Sequence, residues 1–135
     1  MPDVKGDVKR KTPFTDEELE YFRGLILAKL EKSKDHLHRM RKRLVDAQED
    51  ASAVSSYSMH MADLGTDNME REKLSLMIAR EKKYMGYLKA ALERIDNKTY
   101  GICRVTGNPI SRGRLEAVPH TEISIEAKLA EKKKK

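Results

Sequence analysis

Apolar residues recur every three or four positions through the first half of the chain. This spacing places them on one face of an α-helix and is typical of a coiled-coil seam. No glycine or proline interrupts residues 25–64, and Thr15 with Glu18 forms a capping-box pattern before the stretch. We therefore predict a first helix over about residues 15–54. Its seam positions are Leu19, Phe22, Ile26, Leu30, Leu37, Met40, Leu44, Ala47, Ala51 and Val54, with Ser33 in the gap after Leu30.

A second stretch with the same spacing follows a more polar segment. Gly65 is a natural turn residue, and Thr66 or Asp67 can cap a following helix. These signals predict a hairpin tip over about residues 55–68 and a return helix over about 67–96. Two helices of this length extend over ~45–60 Å, so much of the pair should project as an antiparallel coiled-coil hairpin. The seam positions of the return helix are Leu74, Met77, Tyr84, Leu88, Ala91 and Ile95.

The last third of the chain has a different pattern. Residues 100–121 are rich in glycine and proline, and a few apolar residues there can form a small core. A last helix is expected to begin at Thr121 or Glu122 and to continue to about Ala130. The predicted fold is thus mainly α. Its parts are a basic tail (1–14), the hairpin (15–98), a small globular region with a C-terminal helix (99–130) and a lysine tail (131–135).

The composition agrees with long, solvated helices. Charged residues make up 37% of the chain and aromatic residues only 5%, which is too few rings for a large globular core. The net charge of +6 overstates any basic binding face, because part of it lies in the terminal lysines, from Lys132 to Lys135. No apolar run approaches the ~20 residues that span a bilayer. We expect no membrane contact and a cytoplasmic location.

No pattern of residues predicts catalysis. The sequence has no glycine-rich phosphate loop and no H-E-x-x-H motif. His36 and His38 are two residues apart, so they do not share a helix face. The single cysteine, Cys103, excludes an intrachain disulfide and a four-cysteine zinc site, and it fits a reducing compartment. We expect a protein that is not an enzyme.

Three short segments near the C-terminus resemble the DksA/TraR family: Tyr100–Ile110, the R-L-E-A-x-P word that starts at Arg114, and Ile123–Lys128. That family joins a coiled-coil hairpin to a small finger that holds zinc with two C-x-x-C pairs. The resemblance places the four ligand positions at Cys103, Thr106, Ser124 and Ala127. Three of the four cysteines are replaced, and alanine has no donor atom. The resemblance therefore implies a finger that keeps the family shape without zinc or another cofactor.

The resemblance also implies a functional site at the hairpin tip. Counted back from Cys103, Asp63 stands where the family has an essential tip aspartate, whereas His60 stands in place of the other one. Family members insert this tip through the secondary channel of bacterial RNA polymerase and alter the lifetime of promoter complexes. From the residues alone, Asp63 would be an ordinary turn aspartate. The implied polymerase-binding tip comprises Ala62, Asp63, Leu64, Gly65, Thr66 and Asp67.

Basic residues near the predicted junction of hairpin and finger are candidates for contacts with the polymerase rim or with a nucleotide. They are Arg80, Lys83 and Lys128. Many family members act with the alarmone ppGpp. Tyr87 and Val118 stand where the analogy leads us to expect further basic residues, so binding of ppGpp stays open.

Two other functions also stay open. The basic residues of the run 39–43 could bind DNA directly, although such a run is more often the solvated face of a coiled coil. Alternatively, the hairpin could be a structural module that pairs with its own copy or with another helical protein. We favour a monomeric transcription regulator whose partner is RNA polymerase, without direct DNA binding.

Overall fold

The computed structural model describes residues 11–55 and 61–134, with side chains described outside 50–67 and 133–135. The described part contains the helices α1 (Asp16–Ser55), α2 (Met61–Asp96), α3 (Arg112–Ala117) and α4 (Ile125–Lys134). The expectation of a mainly α chain with two long helices and a small C-terminal region is confirmed. Within residues 11–55 and 61–134, none of the helices has the length and apolar character of a membrane span.

Contacts divide the chain into two compact units. The finger unit comprises Met1–Leu30 and Tyr87–Lys135, and the hairpin unit comprises Glu31–Gly86. The finger unit thus contains the first turns of α1, the last turns of α2 and the two short helices. The hairpin unit contains the remainder of the two long helices.

The start of α1 follows from the local sequence. The backbone N–H of Thr15 donates to Oε1 of Glu18 at 2.9 Å, and the backbone N–H of Glu18 donates to Oγ1 of Thr15 at 3.2 Å. This reciprocal pair is the predicted capping box. The backbone hydrogen bond from Thr15 also lowers the pKa of the Glu18 carboxyl, so that the negative charge stays near the positive end of the helix.

The start of α2 differs from the prediction. The helix begins at Met61, so Gly65, Thr66 and Asp67 lie inside it and the prediction that they form a turn and a cap is wrong. One glycine costs a helix only about 1 kcal/mol, which the hydrogen bonds of the flanking turns can offset. The connection between the two long helices lies within residues 56–60, outside the described residues.

The core of the finger unit is built around aromatic rings. The ring centroids of Phe22 and Phe14 lie 5.2 Å apart, and those of Phe22 and Tyr100 lie 5.4 Å apart. The hydroxyl of Tyr100 donates to the carbonyl oxygen of Pro119 at 2.7 Å, which satisfies the one polar atom of a buried side chain. Gly101 has a φ of +87°, and a Cβ at this position would lie 2.5 Å from the ring of Phe14. The close approach of backbone and ring therefore requires glycine.

The two short helices correct the prediction for the C-terminal region. α3 was not predicted; its cap is Ser111, whose side chain accepts a hydrogen bond from the backbone N–H of Arg114, and it buries Leu115. The last helix begins at Ile125 rather than at Thr121, because Ser124 caps it: the Ser124 hydroxyl accepts from the backbone N–H of Ala127 at 3.2 Å.

The core of the hairpin unit confirms the predicted seam on α1 and corrects it on α2. Leu37 and Met40 of α1 pack with Ile78 of α2, and all three are buried. Ile78 thus occupies the seam position that was predicted for its neighbour Met77. Leu44, Met77 and Met85 are partly buried against them. Ser33, in the gap of the predicted seam, is only 3% exposed, so the polar residue occupies a true seam position.

Candidate functional site

The four positions that resemble zinc ligands converge in the finger unit. The thiol of Cys103 is buried, and its Sγ accepts a hydrogen bond from the backbone N–H of Ser124 at 3.3 Å. Thr106 also hydrogen-bonds to this sulfur, and Ala127 donates its backbone N–H to the hydroxyl of Ser124. The fold thus brings together the residues that the resemblance singled out.

Hydrogen-bond donors give the sulfur an unusual electrostatic environment. Burial raises the pKa of the Cys103 thiol, but the hydrogen bonds from Thr106 and Ser124 together outweigh burial and lower the pKa to about 6. The donors therefore favour a thiolate at neutral pH. They supply part of the charge stabilisation that a metal ion supplies to a thiolate ligand.

The donor set at this position does not fit a structural zinc ion. Such an ion needs four strong donors in tetrahedral geometry. Cys103 offers one sulfur and Ala127 offers nothing, and the hydroxyls of Thr106 and Ser124 already bond the sulfur. Within the described ranges, no group of three or more histidine, cysteine, aspartate or glutamate residues could hold a metal ion.

The two ends of the finger are joined by hydrogen bonds. The backbone N–H of Arg104 donates to the carbonyl oxygen of Glu122 at 2.9 Å. The guanidinium of Arg114 donates to the carbonyl oxygen of Ile123 at 2.8 Å, and that of Arg94 donates to the carbonyl oxygen of His120 at 3.0 Å. These arginines hold residues 120–123 next to the sulfur. Sequence reasoning missed both, because a sequence gives no signal for an arginine that bonds a distant carbonyl.

A cavity of about 450 Å³ lies beside this segment. Lys128, predicted as a rim or nucleotide contact, lines it together with Arg104 and Arg114. The rings of Tyr87 and His120 stack at its wall, with centroids 5.8 Å apart and planes 2° apart. Burial, aided by the positive charges of Arg94 and Lys29, lowers the pKa of His120, which favours a neutral ring. Glu122 also lines the cavity, so three cations and one carboxylate surround a pocket with an aromatic wall.

The other two predicted rim contacts lie in the hairpin unit. Arg80 and Lys83 are exposed on α2, and Arg80 lines a small cavity of about 130 Å³ together with His36 and Glu81.

The predicted tip residues lie in the first two turns of α2. Ala62–Asp67 have helical backbones, while their side chains, like the whole of His60, lie outside the described residues. Asn68, the residue after the tip, lines a groove of about 610 Å³, together with Leu44 and Gln48 of α1 and Leu76 of α2. Leu76 is 68% exposed, so an apolar side chain faces solvent in this part of the hairpin unit.

The basic run of α1 is divided by the seam. Arg39, Arg41, Lys42 and Arg43 are exposed, whereas Met40 between them is 2% exposed and packs against α2. The basic side chains therefore point to solvent, while Met40 on the inner face of α1 packs against α2. This arrangement is what a solvated coiled-coil surface requires.

Comparisons with known proteins agree with the resemblance. The family model described as "Prokaryotic dksA/traR C4-type zinc finger" matches residues 98–131. The RNA polymerase-binding transcription factor DksA of Caulobacter vibrioides is 31% identical over 120 residues, which cover 85% of this chain and 77% of that protein. The uncharacterized protein YteA of Bacillus subtilis is 39% identical over 66 residues, and the match spans only 28% of its length.

A solved structure extends the likeness to the whole fold. The structure of transcription factor DksA2 from Pseudomonas aeruginosa superposes with a TM-score of 0.76 at 26% identity, over 99% of this chain and 92% of that one. Together with the extended match to the Caulobacter protein, this likeness shows that the chain belongs to the DksA/TraR family.

Proposed function

We propose that this chain binds bacterial RNA polymerase, in the bacterial cytoplasm, and regulates transcription. The observation that carries this proposal is the match to the Caulobacter DksA, an RNA polymerase-binding transcription factor, at 31% identity over 85% of the chain. A match of this extent includes most of both units. Partner binding by a monomer, without a catalytic step and without direct contact to DNA, is the mode of action that we propose.

The segment proposed to act inside the polymerase is the tip, Ala62–Asp67. It begins α2 directly after the connection from α1, so it occupies the turn end of the hairpin unit. Asp63 falls within the first turn of the helix, where the helix dipole favours negative charge. We propose that Asp63 enters the secondary channel of the polymerase and that its carboxylate is the principal functional group.

Cationic residues are proposed for the contacts outside the channel. Lys128 lies with Arg104 and Arg114 in the cavity of the finger unit, where three cations and a stacked aromatic pair suit an acidic protein surface or a nucleotide such as ppGpp. Arg80 and Lys83 are exposed cations of the hairpin unit and suit an acidic polymerase surface. No zinc is proposed, because the finger positions do not offer its donor set.

The first prediction tests the tip by removing one charge. Asp63→Asn should leave the affinity for RNA polymerase nearly unchanged and reduce the effect on transcription in vitro by about 10-fold or more, the size expected for loss of one charge-assisted hydrogen bond. The exposed Asp46→Asn of α1 is the matched control and should keep both properties. Normal regulation by Asp63→Asn would refute the tip assignment. A wild-type chain that does not bind the polymerase would refute the proposed function.

A further inference from the structure

A polar layer crosses the seam of the hairpin unit. Ser33 stands between the seam positions of Leu30 and Leu37 on α1, and Glu81 stands between Ile78 and Met85 on α2, which both pack in the core of the hairpin unit. The residue Ser33 is 3% exposed, and the side chain of Glu81 is 16% exposed. Both polar side chains thus occupy positions that a coiled coil normally fills with apolar ones.

The contacts of this layer use both oxygens of one carboxylate. The hydroxyl of Ser33 donates to Oε2 of Glu81, and Nδ1 of His36 lies 3.0 Å from Oε1. Because a carboxylate only accepts hydrogen bonds, Nδ1 is the donor. His36 is about half exposed, so the layer extends from the buried seam to solvent. This partial hydration lowers the cost of placing a carboxylate in the seam.

Other alignments of the two helices would lose these contacts. Shifting α2 by one seam step brings Ile78 or Met85 opposite Ser33, and shifting it by a heptad brings Leu74 or Leu88 there. Each alternative buries the Ser33 hydroxyl without a partner and places the Glu81 carboxylate among apolar side chains. An unsatisfied buried hydroxyl costs about 1–3 kcal/mol, and a carboxylate costs more.

We propose that Ser33 and Glu81 fix the register of α1 against α2 and thereby act as positioning residues for the tip at the start of α2. The register claim stands on the contacts alone, whereas its functional consequence rests on the proposed function. One seam step would displace α2 along α1 by about 5 Å, and a heptad by about 10 Å. Functional constellations tolerate about 0.5 Å.

The test compares three variants of the full chain by methyl NMR. Ser33→Ala with Glu81→Leu removes both polar groups, and Glu81→Gln keeps a hydrogen-bond acceptor for Ser33. The control, Glu31→Ala with Lys34→Ala, removes an exposed ion pair that flanks Ser33 on α1. The readout is the set of nuclear Overhauser contacts of Ile78 with Leu37 and Met40, which pack together in the structure.

We expect one set of these contacts in the wild type, in Glu81→Gln and in the control. The doubly apolar variant should show at least one additional set, from Ile78 to other methyl groups of α1, with a melting temperature equal to or above that of the wild type, because apolar replacement of buried polar groups is often neutral or stabilising. A single unchanged set in this variant would overturn the proposal. Unfolding of this variant would also overturn it, since the pair would then provide stability rather than register.

Transcription assays separate this inference from the proposed function. The doubly apolar variant should lose more of its regulatory effect than of its affinity for RNA polymerase, and Glu81→Gln should retain both. If the doubly apolar variant showed a second set of contacts but regulated transcription as well as the wild type, the positioning role would be refuted. If the wild type neither binds nor regulates the polymerase, the proposed function fails while the NMR result on register stands.

Discussion

Hydrogen bonds of Cys103 join two segments of the finger. Its own backbone N–H donates to the carbonyl oxygen of Asn108 at 2.8 Å, and its Sγ accepts from Ser124, which caps α4. A thiolate in this position is bonded from both segments at once. The chemical role left to the cysteine is that of a hydrogen-bond acceptor whose charge the surrounding donors stabilise.

The second prediction concerns the pKa of this thiol. Thr106→Val removes a hydroxyl that donates to the sulfur, so the pKa of Cys103 should rise from about 6 toward its ordinary value. The ultraviolet absorbance of the thiolate measures it, and the chain has no other thiol. Thr99→Val is the control, because the Thr99 hydroxyl bonds the carbonyl oxygen of Arg94 instead. An unchanged titration in Thr106→Val would show that this hydroxyl does not stabilise the thiolate.

The third prediction follows from the same pKa and concerns the pH dependence of stability. The folded-state pKa of about 6 lies below the ordinary thiol value of 9.0, so the thiolate makes its full contribution to the free energy of unfolding above pH 9.0. That stabilisation is lost as the pH falls through about 6. In denaturant titrations, the free energy of unfolding should therefore rise between about pH 6 and pH 9 more steeply in the wild type than in Cys103→Ser.

At the scale of elements, the start of α1 was predictable from the local sequence, whereas the starts of the other three helices were not. The start of α1 depends on a contact between Thr15 and Glu18, three residues apart, and the sequence shows both partners. The start of α2 was missed because Gly65 has two readings, as a turn or as a tolerated helix residue, and only its neighbours decide between them. α3 was missed because its six residues carry no periodic signal.

The candidate site was predictable in part, through the family resemblance. That resemblance singled out Cys103, Thr106, Ser124 and Ala127 in two short segments, and the structure brings them together. Glu81 was missed, because a charged residue at a seam position looks like a break in the apolar pattern. Its role depends on Ser33, 48 residues away in the sequence, and such a long-range pairing leaves no local trace.

The fourth prediction restores the ligand set of the finger. Thr106→Cys, Ser124→Cys and Ala127→Cys, combined with Cys103, recreate two C-x-x-C pairs at positions that already converge. This triple variant should bind one Zn²⁺ per chain in tetrahedral geometry, measured by metal analysis and by the absorption spectrum of the cobalt form. The matched control carries Thr106→Cys, Ser124→Cys and Ala127→Ser, and it should bind the metal more weakly than the triple-cysteine variant. No uptake by the triple variant would mean that the four positions are not arranged as a ligand set.

For the whole molecule, stability must come from packing and hydrogen bonds in each unit. The finger unit buries Phe22, Tyr100 and Leu115 completely, and its segments are tied by arginine-to-carbonyl hydrogen bonds. The hairpin unit buries a narrower apolar seam that contains the polar layer of Ser33 and Glu81. Charged residues make up 37% of the chain, and they cover much of the surface outside these two cores. The chain therefore folds around two modest cores.

The last prediction is that metal removal leaves the wild-type chain unchanged. A structural zinc ion contributes about 10–16 kcal/mol in small fingers, as much as the whole free energy of unfolding of a typical domain, about 5–15 kcal/mol. If Cys103 and its neighbours held zinc, a chelator would lower the melting temperature steeply, and added Zn²⁺ would raise it. Since hydrogen bonds already satisfy the sulfur and Ala127 offers no donor, thermal unfolding followed by circular dichroism should be the same with chelator, with Zn²⁺ and with neither. The triple-cysteine variant is the positive control, because its melting temperature should depend on the metal. A chelator-dependent melting temperature in the wild type would show instead that the finger recruits donors from outside these four positions.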